Sequence, residues 1–223
     1  MNILAPIVVF TYNRPEHTLR TFNALLENPL ANESDIIIYS DSAKTANHNK
    51  SVDEVRSLLS EITGFRSKKV IHRDKNFGLA ESIIQGVTEV LQESEKVIVL
   101  EDDMVVSPYF LEYMNEALEQ FVEDDRVISV HGYVYPVDFE LPEAFFVKGA
   151  DCWGWATWRR GWEIFEPNGQ FLLDELMRRH LIQEFDYNGA YPYSNMLSAQ
   201  IKGANDSWAI RWHASAFLAD KLT

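Results

Sequence analysis

Three consecutive carboxylates, Glu101, Asp102 and Asp103, directly follow an apolar run at residues 97–100. Adjacent carboxylates repel one another, and burying them without a partner is costly. A hard divalent cation, Mg²⁺ or Mn²⁺, neutralises such a group and often bridges it to a phosphate. The segment therefore suggests a metal-assisted nucleotide enzyme. An equally open alternative is a solvated acidic turn before a helix that starts near Ser107 and Pro108.

Short apolar runs alternate with amphipathic stretches over the first 131 residues. This alternation predicts βαβ units and an α/β fold, with a mostly parallel sheet flanked by helices. The predicted strands are 5–11, 35–40, 69–72, 96–100 and 126–131, and the predicted helices are 15–26, 52–62, 79–91 and 109–121.

Polar clusters follow the other predicted strands as well, at Thr11 to Arg14, at 40–42, and at 72–76 with Gly78. The carboxyl ends of parallel strands meet at one edge of a sheet, where open α/β sheets bind ligands. Arginine and lysine side chains there can offset phosphate charge, and a glycine allows close backbone approach. Each cluster alone is as consistent with a turn as with a ligand contact, but together they predict a nucleotide pocket.

The regular pattern ends near residue 132. Residues 132–148 suggest an irregular hairpin, 149–162 contain a tryptophan-rich segment, and 170–223 read as helices with loops. We expect one domain over 1–223, with a more irregular C-terminal half that could be truncated at its end.

The chain of 223 residues has 34 acidic and 20 basic residues, a formal charge of −14. This excess of negative charge argues against binding nucleic acid. The single cysteine, Cys152, excludes an intrachain disulfide and suits a reducing compartment. Without a signal peptide or a transmembrane segment, the sequence predicts a cytoplasmic protein, with peripheral attachment at the inner face of the membrane left open. It does not indicate an oligomeric state.

Other nucleotide and hydrolase motifs are missing from the sequence. It contains no Gly-x-Gly-x-x-Gly after the first strand, no Gly-x-x-x-x-Gly-Lys-Ser/Thr and no Gly-x-Ser-x-Gly. The absence of these motifs argues against a dehydrogenase, a P-loop enzyme or an α/β-hydrolase.

The segments 8–15 (VVFTYNRP), 73–80 (RDKNFGLA) and 97–103 (VIVLEDD) together resemble a GT-A-fold glycosyltransferase. The chain is similar to the family 2 type and to the N-acetylglucosaminyltransferase I type, whose metal motif is Glu-Asp-Asp. The resemblance implies a Rossmann-like GT-A domain with a nucleotide-sugar-binding half (1–131) and an acceptor-side half (132–223). It also implies inverting, metal-dependent transfer of a hexosyl or N-acetylhexosaminyl group from a UDP-sugar to a saccharide or glycan hydroxyl.

The resemblance also implies roles for single residues. Asp103 would hold the Mn²⁺ or Mg²⁺ that bridges the donor diphosphate, Asp102 would contact ribose or donor sugar, and Glu101 would lie beside them. The remaining donor-site residues would be Thr11, Arg14, Asp41 beside the base, Arg73, Asn76 and Gly78.

The tryptophan-rich segment offers a sugar platform, since indole faces stack on the apolar faces of sugar rings and Gly154 permits close approach. We expect either Trp153 or Trp155 at the sugar, whereas Trp158 and Trp162 are at least as consistent with the core. The resemblance relates this segment to a Gly-Trp loop near donor and acceptor.

Inverting transfer needs one general base, and the resemblance points to Asp206. The alternative role for Asp206 is the N-cap of a predicted helix over 208–218, and Asp151 is a second candidate base. Related enzymes often add a metal-binding histidine near the C-terminus, whereas the last histidine here, His213, falls inside that predicted helix.

Two other functions stay open from the sequence. A noncatalytic carbohydrate- or nucleotide-binding module would use the tryptophans without turnover. A sugar nucleotidylyltransferase would need a glycine-rich basic loop after the first strand, which residues 10–14 lack.

Overall fold

The computed structural model describes residues 3–223 as a mixed α/β structure around a six-stranded sheet. The strand order is β3-β2-β1-β4-β6-β5, and β3, β2, β1 and β4 are parallel. The strands are β1 (Ile7–Thr11), β2 (Asp35–Ser40), β3 (Ser67–His72), β4 (Lys96–Glu101), β5 (Ser129–His131) and β6 (Trp155–Trp158).

Helices flank both faces of the sheet and then form most of the C-terminal third. They are α1 (Pro15–Leu26), α2 (Asn49–Glu61), α3 (Leu79–Glu93), α4 (Phe110–Gln120), α5 (Arg159–Trp162), α6 (Gly169–Arg178), α7 (Ile182–Phe185), α8 (Tyr193–Ile201) and α9 (Trp208–Leu218), with 3₁₀ turns at Pro29–Glu33, Ala46–His48 and Tyr187–Gly189.

The predicted α/β fold is confirmed, and the strands and helices of the first 121 residues lie within a few residues of their predicted bounds. Continuous β-branched runs form the buried strands because a parallel sheet covered on both faces needs apolar side chains on both sides. Pro15 begins α1, where its fixed φ and missing N–H are tolerated.

The second half of the sheet differs from the prediction. Residues 155–158, within the tryptophan-rich segment, form β6, which pairs antiparallel with β4 and with β5. The predicted hairpin at 132–148 is wrong, because the structure has no paired strands there, only one isolated bridge from Lys148 to Leu222. Alternating aromatic and polar residues in 133–147 resemble a strand pattern but have no partner strand.

Two apolar layers cover the sheet. Helices α1, α2 and α4 pack on one face, and α3, α5 and α9 pack on the other, where Trp155, Trp162, Trp208 and Trp212 meet. A third cluster joins α6, α7, α8 and the outer side of α9. The sheet is thus held rigidly below the edge at which β1, β2, β3 and β4 end.

Candidate functional site

The three carboxylates at the end of β4 lie in different surroundings. Asp102 is buried, and one oxygen accepts a hydrogen bond from the Tyr12 amide at 3.3 Å. Arg14 bridges the two aspartates, donating to Asp102 Oδ1 and, at 2.9 Å, to Asp103 Oδ2. The Asp103 side chain keeps 39% of its surface exposed. Of the two aspartates, Asp103 therefore offers the accessible carboxylate, and a fully solvated acidic turn does not describe this segment.

Burial changes the acidity of the other two carboxyl groups. It raises the pKa of Glu101 to about 7, with the charge of Asp103 adding to the effect and a hydrogen bond from Trp208 opposing it. Burial also raises the pKa of Asp102, against the lowering effect of Arg14. Perturbed carboxyl groups at a strand edge are typical of functional sites, although structural ion pairs produce them too.

Asp41, at the end of β2, holds the turn that follows β3. Its carboxylate accepts hydrogen bonds from the amides of Phe77 and Gly78 and from the Asn76 side chain, all at 2.9 Å, and from the Ser42 amide at 2.8 Å. A carboxylate has about four acceptor positions, so this one is fully used within the protein. Asp41 and Asn76 therefore shape this edge of the sheet through the 76–78 turn.

The other predicted donor-site residues also have partners within the chain. Thr11 is buried, and its hydroxyl donates to the Tyr39 carbonyl at 3.2 Å. Arg73 stacks between the rings of Tyr39 and Phe77, 4.8 and 4.7 Å from their centroids, and pairs with Glu89 at 3.5 Å. Thr11 and Arg73 thus support the pocket walls, and Arg14 is the cation that reaches the β4 carboxylates.

Asp206 lies at the same edge of the sheet. A Cβ atom added to Gly78, whose φ is +76°, would lie 3.8 Å from Asp206 Oδ2. The Asp206 side chain is 72% exposed and lies 3.9 Å from Arg211. The alternative capping role is wrong, because Ser207 caps α9 by accepting from the Ile210 amide at 3.2 Å. Asp206 is therefore an exposed carboxylate beside the 76–78 turn.

A cavity of about 510 Å³, here called the Asp103 cavity, opens beside the end of β4. Trp153 and Gly154 line it, and the Trp153 ring is 48% exposed. Gly154 has φ +63°, and a Cβ there would lie 3.1 Å from the Phe110 ring. The chain can pass so close to α4 because this residue has no side chain.

Trp155, one of the two tryptophans expected at the sugar, does not belong to a sugar platform. Its ring is 1% exposed and stacks on Trp208 with centroids 5.4 Å apart, so it has no face for a sugar. Trp155 begins β6, a strand whose four residues are all buried because both faces of the sheet are covered, so its side chain lies in the core beside α9. Trp158 and Trp162 are also buried, as one of their two interpretations predicted. Of the two candidates, only Trp153 faces solvent.

Asp151 and His213 have structural partners. Asp151 Oδ1 accepts from the amides of Cys152, at 2.6 Å, and Trp153, at 3.0 Å, and so shapes the turn that presents Trp153. His213 is buried in α9, with Nδ1 3.1 Å from the Ala150 carbonyl. Burial lowers the pKa of His213 to about 4, which leaves a neutral imidazole packed among aromatic rings.

Three tyrosines in the Asp103 cavity were not predicted. Tyr109 and Tyr113 reach it from the start of α4, and Tyr133 reaches it from the irregular loop. The only sequence signal was the density of aromatic residues in 109–113 and 133–139, which is equally typical of a core.

The described part of the chain contains neither a preformed metal-binding cluster nor a membrane-spanning helix. Within residues 3–223, no three or more His, Cys, Asp and Glu side chains converge in a group able to hold a metal ion. Over the same residues, no helix has the length and apolar character needed to cross a membrane.

Comparison with solved structures finds several partial likenesses. The mannosyltransferase PcManGT from Pyrobaculum calidifontis, in complex with GDP-Man and Mn²⁺, is 12% identical with a TM-score of 0.39, over 57% of this chain and 35% of that one. S. aureus TarS is 16% identical with a TM-score of 0.38, over 53% and 20%, and its residues 1–349 are 13% identical with a TM-score of 0.43, over 70% and 47%. The matched part is less than half of each of those chains.

No curated protein matches the sequence. The family model described as "Glycosyl transferase family 2" matches residues 7–167, which include every strand of the sheet and the three carboxylates at the end of β4. The chain therefore belongs to glycosyl transferase family 2.

Proposed function

We propose that this domain transfers a sugar from a UDP-sugar to a saccharide hydroxyl, with inversion at the anomeric carbon and with Mn²⁺ or Mg²⁺ as cofactor. The observation that carries the proposal is the pair of carboxylate positions at one sheet edge. Asp103 lies at the end of β4 in a cavity beside Trp153, and Asp206 lies beside the 76–78 turn. One position suits a donor diphosphate, and the other suits an acceptor hydroxyl.

The residues present fit a cation that is shared with the substrate. Mg²⁺ is usually bound by one or two carboxylates together with substrate phosphates, rather than by a complete protein cage. Asp103, which is 39% exposed and next to buried Asp102, provides such a carboxylate ligand. Residues 3–223 contain no group of three or more His, Cys, Asp and Glu side chains that would bind the ion instead. When bound, the ion would stabilise the charge that develops on the leaving diphosphate.

Arg14 would control access to this site. Its guanidinium neutralises Asp102 and Asp103, so a divalent cation at Asp103 would have to compete with it. Arg14 is 42% exposed and can turn toward a donor phosphate as the carboxylate is released. Arg14 would thus act on carboxylates before the donor binds and on phosphate afterwards.

Asp206 would serve as the general base. An acceptor hydroxyl oxygen attacks the anomeric carbon, its proton passes to the Asp206 carboxylate, and the bond from that carbon to the diphosphate oxygen breaks. One positioned carboxylate suffices for such a single displacement. The turn held by Asp41 and Asn76 keeps Gly78 beside Asp206, so that the base and the donor pocket share one rigid support.

A donor screen tests the proposal. The protein is titrated with UDP-, GDP-, dTDP- and CMP-sugars, with and without Mn²⁺, by calorimetry. We expect tightest binding of a UDP-sugar with Mn²⁺, and loss of the Mn²⁺-dependent part in Asp103→Asn but not in Asp53→Asn, whose aspartate is exposed on α2.

Other results would identify other functions. If no donor shows Mn²⁺-dependent binding, the proposal fails. Binding without any turnover would indicate a noncatalytic module, and release of pyrophosphate would indicate a nucleotidylyltransferase.

A further inference from the structure

Five aromatic side chains, which we call the aromatic track, run from the Asp103 cavity toward the C-terminal helices. They are Trp153, Tyr133, Tyr135, Tyr193 and Tyr191. Ring centroids are 4.6 Å apart for Tyr133 and Trp153, 5.1 Å for Tyr133 and Tyr135, and 4.6 Å for Tyr191 and Tyr193. Burial raises the pKa of Tyr193, and the neighbouring Tyr135 raises it further, so the two hydroxyl groups lie near each other. Tyr135 and Tyr193 thus connect the two halves of the track.

The track is a surface rather than part of the core. Trp153 is 48% exposed, Tyr135 54% and Tyr191 51%. Scattered exposed aromatic residues need no explanation, but a contiguous row of them usually marks a binding surface. Tyrosine and tryptophan combine an apolar ring with a hydrogen-bonding group, which suits a ligand that has apolar faces and many hydroxyls.

One end of the track lies at the proposed reaction centre. Trp153 and Tyr133 line the Asp103 cavity, together with Tyr109 and Tyr113 from α4. The turn formed by Asp151 sets the position of Trp153 through two backbone hydrogen bonds. A ligand lying along the track would therefore place its end in the cavity, next to Asp103.

The charges along this path disfavour an anionic ligand. Among the residues of 3–223 that line the cavity, Asp103 alone is charged, and none is lysine or arginine. Near the other end, Lys148 is paired with Glu184 and Asp220, at 2.9 Å each. Arg14, beside Asp103, is likewise paired, with Asp102 and Asp103. A phosphate or carboxylate on the ligand would thus meet Asp103 and Asp151, while the cations beside this path already have carboxylate partners.

We propose that the aromatic track binds the acceptor as a neutral oligosaccharide, with successive sugar rings on Trp153, Tyr135 and Tyr191 and the chain end in the Asp103 cavity. The inference rests on the proposed function and adds two properties of the acceptor, that it is a chain of several sugars and that it is uncharged. An acidic polysaccharide, a peptide or a membrane surface would use other chemistry, and each is an outcome of the test.

Binding is measured without donor or metal, so that the result does not depend on turnover. Wild-type protein is titrated with cello-, malto-, manno- and chito-oligosaccharides of two to six units, and with uronic-acid and phosphate-bearing oligosaccharides, by tryptophan fluorescence. We expect one neutral series to bind, with affinity rising with length. Tyr135→Ala and Tyr191→Ala should each weaken binding of the hexamer about tenfold, as loss of one well-placed aromatic contact does, and leave the dimer within about twofold.

Phe171→Ala is the matched control, because Phe171 is a 50% exposed aromatic residue on α6 outside the track. Its affinities should equal those of wild type. The inference is overturned if no neutral series binds, if anionic oligosaccharides, a peptide library or neutral lipid vesicles bind instead, or if the control loses as much as the track variants. Donor titrations on the same samples distinguish failure of this inference from failure of the proposed function. Mn²⁺-dependent donor binding can persist even when no neutral oligosaccharide binds.

Discussion

Asp206 differs from Asp102 and Asp41, two other carboxylates of the site, in its exposure and in its contacts. Asp102 is buried against Arg14, and Asp41 has all its acceptor positions filled, whereas the Asp206 side chain is 72% exposed with Arg211 no nearer than 3.9 Å. A general base must have an acceptor oxygen that can reach the hydroxyl proton. Among these three aspartates, Asp206 alone meets that requirement.

The variant Asp206→Asn tests the proposal that Asp206 is the general base. We expect transfer to fall about 10²–10⁴-fold, the usual contribution of general base catalysis, while donor affinity stays within about twofold. The measurement is the initial rate of glycoside formation alongside donor titration. Asp53→Asn should transfer at the wild-type rate. Transfer by Asp206→Asn at a near wild-type rate would leave the residue as a surface carboxylate.

His213 predicts how stability depends on pH. Its folded pKa of about 4 lies below the ordinary value of 6.5, so between these values the unfolded chain binds more protons than the folded one. The stability from this residue is therefore present above pH 6.5 and is lost as the pH falls toward 4, by about 2 kcal/mol at pH 5. Urea unfolding at pH 7 and pH 5 measures the loss.

His213→Phe keeps an aromatic ring among Phe185, Tyr187 and Tyr193 but cannot titrate. It should lower stability at pH 7 by about 1 kcal/mol, through the lost hydrogen bond to Ala150, and should show a smaller loss between pH 7 and pH 5 than wild type. His17→Gln, at an exposed position on α1, should keep the wild-type dependence. Equal pH dependence in His213→Phe and wild type would contradict the prediction.

At the scale of elements, the site is assembled by turns at strand ends. Asp41 at the end of β2 holds the 76–78 turn that joins β3 to α3. Gly78 adopts φ +76° and ψ 168°, a conformation that is nearly restricted to glycine, and α3 begins directly after it. A buried carboxylate between two parallel strands thus determines where the turn beside Asp206 lies.

Asp41→Asn should destabilise the protein by about 1–3 kcal/mol, because an amide group would face the donor amides of Phe77 and Gly78 and leave a buried donor unsatisfied. Asp35→Asn is the control on the same strand. Asp35 pairs with Arg66 at an exposed position, and its loss should cost no more than about 1 kcal/mol. Urea denaturation of both variants measures the difference, and equal effects would show that the turn does not depend on Asp41.

At the scale of the whole molecule, the core extends beyond the segment that matches the family model. That segment ends at residue 167, yet Trp208 and Trp212 of α9 pack with Trp155 and Trp162 on one face of the sheet. The outer side of α9 joins α6, α7 and α8. The C-terminal helices therefore complete the hydrophobic cover of the six-stranded sheet.

Trp212→Ala should destabilise the protein by about 3–5 kcal/mol, since the side chain is 0% exposed and its removal leaves a large cavity. Phe171→Ala, at a half-exposed aromatic residue, should change stability by no more than about 0.5 kcal/mol. Chemical denaturation reports both values. A small loss for Trp212→Ala would mean that α9 is not part of the cooperative core.

The sequence alone determined the α/β class, the strands β1 to β4 with the helices between them, and the carboxylates at the end of β4. These follow from local information, because apolar periodicity and turn residues act within a few positions along the chain. The family 2 resemblance came from the same segments and is confirmed. The single-domain division, the roles of the donor-site residues and the likeness to the N-acetylglucosaminyltransferase I type stay predictions.

Only the tertiary structure decided which side chains at the candidate site are exposed and able to contact a ligand. It paired residues 155–158 with β4, which buried Trp155 and left Trp153 exposed. It filled the acceptor positions of Asp41 and left Asp206 open beside Gly78. Burial, partner choice and exposure depend on segments far apart in the chain, here up to 128 positions between Gly78 and Asp206 (206 − 78), so no local pattern carries them.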